Sequence, residues 1–206
     1  MKGLLLKDLY LAAKHCRAFL LVAVVFLGVS FAGDENIFFI VYPTLITSMI
    51  PMTLISYDER DRWTQYSAAL PYSRGQLVSS KYLIGLFFTI IMALFTILAL
   101  ILKMVLLSAI SLYEIGILGI VLLVLGLIGP TFLLPFVFRF GIEKGRILYY
   151  VMIGLICACG AAAATAGDHV QLPSQKWTFA VAVLVVIMLY ALSWYLSIRV
   201  YQKREP

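Results

Sequence analysis

The chain is poor in the groups that do chemistry inside a protein. It has two histidines, His15 and His169, and three cysteines: Cys16, and Cys157 with Cys159 two positions apart in an apolar run. Helical residues two apart point to different faces, so no disulfide or metal site is implied, and both histidines read as interfacial polar residues. Charged residues supply 13% of the chain, about half the share usual in soluble domains. None of them, and no histidine, lies near the centre of a long apolar run. That argues against a carrier coupled to protons or ions, whose relays use intramembrane ionisable groups. It also argues against an intramembrane hydrolase: Ser48, Ser193 and Ser197 have no base near them in sequence, and no His-Glu-x-x-His run occurs. A Gly-x-x-x-x-Gly-Lys-Ser/Thr loop is also missing, so the chain has no phosphate cradle of that kind.

What is abundant is apolar. Hydrophobic residues make up 63% of the chain and the mean hydropathy is +1.02. The apolar runs are Ala18 to Ala32, Ile37 to Ser56, Leu83 to Leu102, Ile115 to Phe138, Ile147 to Ala166 and Trp177 to Ile198. At about 1.5 Å of rise per residue, a bilayer core needs about 20 residues. The first run is short, and it spans by drawing in His15 to Arg17 with the arginine snorkelling to the headgroups. A cleaved signal peptide fits less well, because Lys7, Asp8, Lys14 and Arg17 make a long and mixed leading region.

Fourteen of the 16 basic residues fall on one side of this six-span layout, and only Lys103 and Lys176 fall on the other. The positive-inside rule then puts both termini in the cytoplasm. The net charge of +6 is a topology signal, dispersed over short loops, and not the footprint of a nucleic-acid surface. The expected protein is therefore an all-α integral membrane protein: one transmembrane domain over 1–206, with no nucleic-acid partner.

Residues 1–17 form an amphipathic helix by pattern, with Leu4, Leu5, Leu9, Ala12, Ala13 and Cys16 near helical spacing and Lys2, Lys7, Lys14 and Arg17 set to meet anionic lipid. Pro43 and Pro51 interrupt the second span, and Gly129-Pro130 with Pro135 the fourth. The fifth carries small residues, Gly154, Ala158 and 160–164, that let another helix approach. Lys103 to Glu114 is apolar enough to be an interfacial or re-entrant segment.

The longest concentrated polar stretch lies over 57–82. Asp58 and Glu59 are placed to start a helix carrying Arg62, Trp63, Tyr66, Ala69 and Leu70, which Pro71 closes. Ser73 and Gln76 then have the spacing of a capping box for a second helix running into the third span. The short helix of this elbow can dock Trp63 and Tyr66 into a groove on a soluble partner, or those rings can belong to the interfacial aromatic belt.

Glu59-x-x-x-Trp63-x-x-Tyr66, Leu70-Pro71-x-Ser73-Arg74, Val78 and Lys81-Tyr82-Leu83 resemble the pattern of small type-2 ABC exporter permeases. Among these, the chain is most similar to compact permeases of bacterial exporters of phenol-soluble modulins and antimicrobial peptides. The resemblance implies the type-2 permease fold: six transmembrane helices, an interfacial amino-terminal helix and a cytoplasmic coupling helix. It implies two permease subunits, alike or different, pairing with two cytosolic ATP-binding subunits that hold the ATP and Mg, so that this chain is no enzyme and binds no cofactor. Asp58, Glu59, Arg62, Trp63, Tyr66, Leu70, Pro71 and Arg74 would then couple to the ATPase. Thr44, Thr47, Ser48, Thr53 and Ser56, with Tyr42 and Met49, are expected either to line a path for amphipathic or lipid-like cargo or to bond one helix to another. The rival reading is a membrane scaffold or immunity subunit that recruits a cytosolic partner through the same elbow; export of lipids or drugs is a third.

Overall fold

The computed structural model describes residues 2–15, 17–32, 37–69, 71–107, 112–165 and 176–203. Among them the chain is wholly α-helical: α1 (Lys2–His15), α2 (Arg17–Ala32), α3 (Ile37–Thr47), α4 (Ile50–Arg60), α5 (Trp63–Ala68), α6 (Arg74–Leu107), α7 (Leu112–Phe140), α8 (Ile142–Thr165) and α9 (Lys176–Gln202). In a bilayer no water completes the hydrogen bonds of an exposed backbone, so apolar runs of this length satisfy themselves as helices.

Four helical stretches are long and apolar enough to cross a membrane: Phe39–Arg60, Arg74–Leu106, Tyr113–Phe140 and Val183–Gln202. The pair α1 and α2, bent by 60° against each other, makes a fifth if counted as one span. This is a multi-pass, all-α membrane architecture, with four or five such stretches among the described residues where the sequence predicted six. The first apolar run passes only in company with α1, and α8 is not among these stretches.

The α3–α4 span lies at the centre, 61% of its most apolar window being buried within the chain; for α9 the share is 17%. The largest core cluster joins Met52, Val78, Tyr82, Leu133, Leu134, Val137, Tyr149 and Tyr190 from α4, α6, α7, α8 and α9. A second cluster seats α1 on α4 and α6, with Ala12, Ile50, Leu54 and Ile84 buried and Leu5 and Leu9 packed beside them.

The prolines act differently in the two spans that carry them. Pro43 lies inside α3 and Pro51 in the first turn of α4, and the helix breaks between them at Ser48–Met49. The Tyr149 hydroxyl of α8 donates at 2.6 Å to the Leu45 carbonyl, an acceptor it shares with Ser48 Oγ at the break. By contrast α7 runs on past Pro130 and Pro135, against the expectation of an interruption. Pro135 has no N–H for the Thr131 carbonyl four residues earlier, and the Ser193 hydroxyl of α9 donates to that carbonyl at 2.6 Å. The orphan acceptor becomes a tie between helices, and α7 stays whole.

Tyr82 closes the same ladder. Its hydroxyl lies 2.8 Å from Ser193 Oγ and 2.7 Å from Ser197 Oγ. Because Ser193 already spends its proton on Thr131, the donors run in one direction: Ser197 to Tyr82, Tyr82 to Ser193, Ser193 to the carbonyl. Trp194 stacks on the Tyr82 ring at 5.6 Å and donates Nε1 to Ser79 Oγ at 3.0 Å. These contacts fix α9 to α6 and α7.

Candidate functional site

The site at the α5 end of the bundle is built on four charges. Leu4, Asp8 and Ala12 recur at i, i+4 and i+8, so one face of α1 buries an acid in an apolar stripe. A buried carboxylate needs a cation. Lys81 of α6 supplies it, with Nζ 2.7 Å from Asp8 Oδ1 and 2.6 Å from Asp58 Oδ2 of α4. Lys7 contacts Asp8 at 3.3 Å and pairs closely with Asp58, and Ser80 Oγ donates to Asp8 at 3.1 Å. Two anions and two cations thus cancel. The Asp8 side chain is fully buried, those of Lys81 and Asp58 nearly so, and Lys7 forms the quarter-exposed edge.

This cluster reaches the elbow through Lys7, whose ammonium stands 4.1 Å above the Trp63 ring. Trp63 in turn lies 5.4 Å from Tyr66, centroid to centroid. Trp63 of α5 thus touches Lys7 of α1, which pairs with Asp8 and with Asp58 of α4.

The elbow is not laid out as the sequence suggests. Asp58 and Glu59 belong to the last turn of α4 and do not start the short helix. Burial of Asp58 against Lys81 holds the span helical one turn further. The turn comes at Asp61 and Arg62, where Arg62 takes a left-handed φ of 52° that lets the chain double back, and α5 is only six residues long. The capping box is present as read: Gln76 N donates to Ser73 Oγ and Ser73 N to Gln76 Oε1, both at 3.2 Å.

The predicted coupling residues divide by direction. Asp58 faces inward and Trp63 is half-buried, whereas Glu59, Arg62, Tyr66, Pro71 and Arg74 are exposed. Arg74 Nη1 reaches the Gln202 carbonyl at 3.5 Å, tying the elbow to the end of α9. Leu70 lies outside the described residues. Sequence reasoning missed Asp8 and assigned Lys7 to anionic lipid; Lys7 instead pairs with Asp8 and Asp58. The signal was there, in an acid at i+4 between Leu4 and Ala12.

The predicted path residues sit within the helix packing of this chain. Thr44, Thr47 and Ser48 are buried, and Tyr42, Met49, Thr53 and Ser56 are partly so. Thr47 donates to the Pro43 carbonyl, Ser48 to that of Leu45 and Thr53 to that of Met49, at 2.8, 2.6 and 3.1 Å. Ser56 Oγ accepts from Arg146 Nη2 at 2.9 Å, and Tyr42 stacks on Phe26 at 4.6 Å. An apolar groove of 260 Å³ between α2 and α6, lined by Val24, Leu27, Gly28, Phe95 and Leu98 among others, contains none of them.

Among the described residues no group of three or more His, Cys, Asp or Glu is placed to hold a metal ion. The decisive comparison is with protein families: a model described as ABC-2 family transporter protein matches residues 3–202. The chain belongs to the ABC-2 transporter family. No curated protein matches it significantly.

Proposed function

We propose that this ABC-2 family protein is the permease subunit of an ATP-driven exporter in a bacterial plasma membrane. It pairs with a second permease and with two cytosolic ATP-binding subunits, which hold ATP and Mg. The exposed side of the elbow, Glu59, Arg62, Tyr66 and Pro71, seats on the ATPase, and both termini share that cytoplasmic side. The crossings are then α2, α3–α4, α6, α7, α8 and α9, with the first turns of α8 in the headgroup layer and α1 along the surface.

The observation that carries this reading is the family match over 3–202, joined to an elbow whose outward face is exposed and whose inward face is wired to three helices. Closure of the ATPases pushes α5; Trp63 and the Lys7–Asp58–Lys81–Asp8 cluster pass that displacement to α1, α4 and α6; hydrolysis resets it. The outward surface of α2, α8 and α9 is apolar, with Leu21, Val25, Ile147, Leu155, Leu184 and Met188 exposed, and suits lipid or a second permease. Amphipathic peptides or other hydrophobic compounds are the cargo class compatible with an interior lacking charge at mid-span.

Co-purification with the candidate ATP-binding partner, followed by reconstitution in liposomes, tests this. ATP-dependent movement of an amphipathic peptide, abolished by a hydrolysis-dead partner, is the expected result. A stable complex with ATPase activity and no peptide movement would remove the cargo assignment and keep the permease; no complex would remove the permease reading.

A further inference from the structure

Gly141 takes a left-handed φ of 88° and turns α7 directly into α8, with its N–H on the Val137 carbonyl at 2.9 Å. The turn gathers cations from both helices on one ring. Arg139 Cζ stands 5.1 Å and Lys144 Nζ 5.9 Å from the centroid of Phe140, which is 45% exposed and contacts Phe136 at 4.6 Å. Both cations are exposed, and among the described residues neither has an acidic partner. Glu143, between them in sequence, pairs with neither. Arg146 differs from both, because it donates to Ser56 Oγ.

Packing fixes which side of α8 leads away from this corner. Ile142 and Tyr149 are buried in the main core, and a Cβ on Gly145 would stand 2.4 Å from Val137 Cγ2, so that face is pressed against the bundle. The other face carries Lys144, Ile147, Val151 and Leu155 at i, i+3, i+7 and i+11, all exposed. From Lys144 to Leu155 the helix rises about 16 Å, against about 15 Å for the hydrocarbon of one leaflet. An apolar lane as deep as a leaflet is thus headed by two uncompensated cations and an exposed ring.

We propose that this corner and lane bind an anionic phospholipid in preference to a zwitterionic one, its headgroup against Arg139 and Lys144 and an acyl chain along Ile147, Val151 and Leu155. The match is one of order as well as of charge: cation, ring and apolar lane follow one another as phosphate, glycerol and acyl chain do. Aromatic rings such as Phe140 favour the boundary between headgroup and chain when they carry a polar neighbour. A second copy docked by this same face would bring two more uncompensated cations to the corner, and like charge opposes it. The inference rests on the placement of the first turns of α8 in the headgroup layer and is independent of the ATPase partner and the cargo.

The test is photocrosslinking of the full chain in nanodiscs of equal phosphatidylglycerol and phosphatidylcholine with matched chains, using Ile147→p-benzoylphenylalanine and identifying the captured species by mass. A basic residue near a membrane surface favours an anionic lipid about fivefold, so phosphatidylglycerol is expected in at least about fivefold excess at position 147. The same probe at Leu94 of α6, exposed and without a cation within two turns of its helix, should capture the two lipids nearly equally. Arg139→Gln with Lys144→Gln should bring position 147 to that parity, and higher salt should move it the same way. Lys144→Arg with Arg139→Lys keeps both charges and should keep the excess, which separates charge from any disturbance of the turn. Equal capture of the two lipids at Ile147 in the parent would overturn this inference alone. No lipid captured there would overturn the placement of α8 as well, and crosslinks to a second copy would assign the face to a dimer instead.

Discussion

The α5 end of the molecule carries two charged regions built on opposite rules. At α1, α4 and α6, Asp8, Asp58, Lys7 and Lys81 are packed together and sum to zero. At the turn from α7 to α8, Arg139 and Lys144 crowd one exposed aromatic ring, their cationic centres 5.1 and 5.9 Å from the centroid of Phe140, with no acidic partner among the described residues. The first region takes its charges out of water, where any imbalance is expensive. The second leaves them in water, where crowding costs little and screening is effective. Buried charge here specifies how helices are joined; exposed charge specifies which side of the membrane they face.

Lys81→Met should break the contrast most severely. It leaves two buried carboxylates with Lys7 alone, and loss of one member of a buried ion cluster costs about 3–5 kcal/mol. Thermal unfolding in nanodiscs should show a large fall in midpoint, or no folded protein at all. If Lys81→Met melts like the parent, the cluster is not a structural joint. Asp58→Asn is the next step down: it removes one anion at the edge of the cluster, where Lys7 can turn toward water, and should destabilise by a smaller amount on the same measurement.

A smaller effect is expected at the capping box. Ser73→Ala removes the acceptor for the Gln76 amide and should cost about 1 kcal/mol, read as faster amide exchange in the first turn of α6. Smallest for stability are Arg139→Gln and Lys144→Gln, whose midpoints should stay within error of the parent while the topology signal of that corner weakens. Raising salt sharpens the comparison: accessibility of reporter cysteines at the α7–α8 corner should respond to ionic strength, and the midpoint set by the buried cluster should not.

Much of this was legible from spacing alone. The long apolar runs announced the helices, Ser73 and Gln76 announced the start of α6, and Pro43 with Pro51 announced a broken second span, because each signal acts within a few residues of itself. The charge cluster was not legible in the same way. Lys81 and Asp8 are separated by 73 positions, and helical periodicity says which face Asp8 occupies without saying what covers it. The unbroken α7 shows the same limit: Pro135 foretold a lost hydrogen bond, and only tertiary packing supplied Ser193 to restore the acceptor. The elbow was misplaced because Asp58 has two attractions, one for a helix start and one for a buried lysine, and the second decided the fold.

The order of residues along the chain adds a consequence for biogenesis. Asp8 is synthesised 73 residues before Lys81, so at about 5–20 residues per second the acid waits about 4–15 s for its buried counterion. During that interval Asp8 has only the partly exposed Lys7 to answer its charge, and full burial of α1 would leave the carboxylate without the closer of its two cations. Arrival of Lys81 completes the neutral set. The buried cluster thereby gives assembly an order: the acid of α1 is fully answered only once the start of α6 has been made.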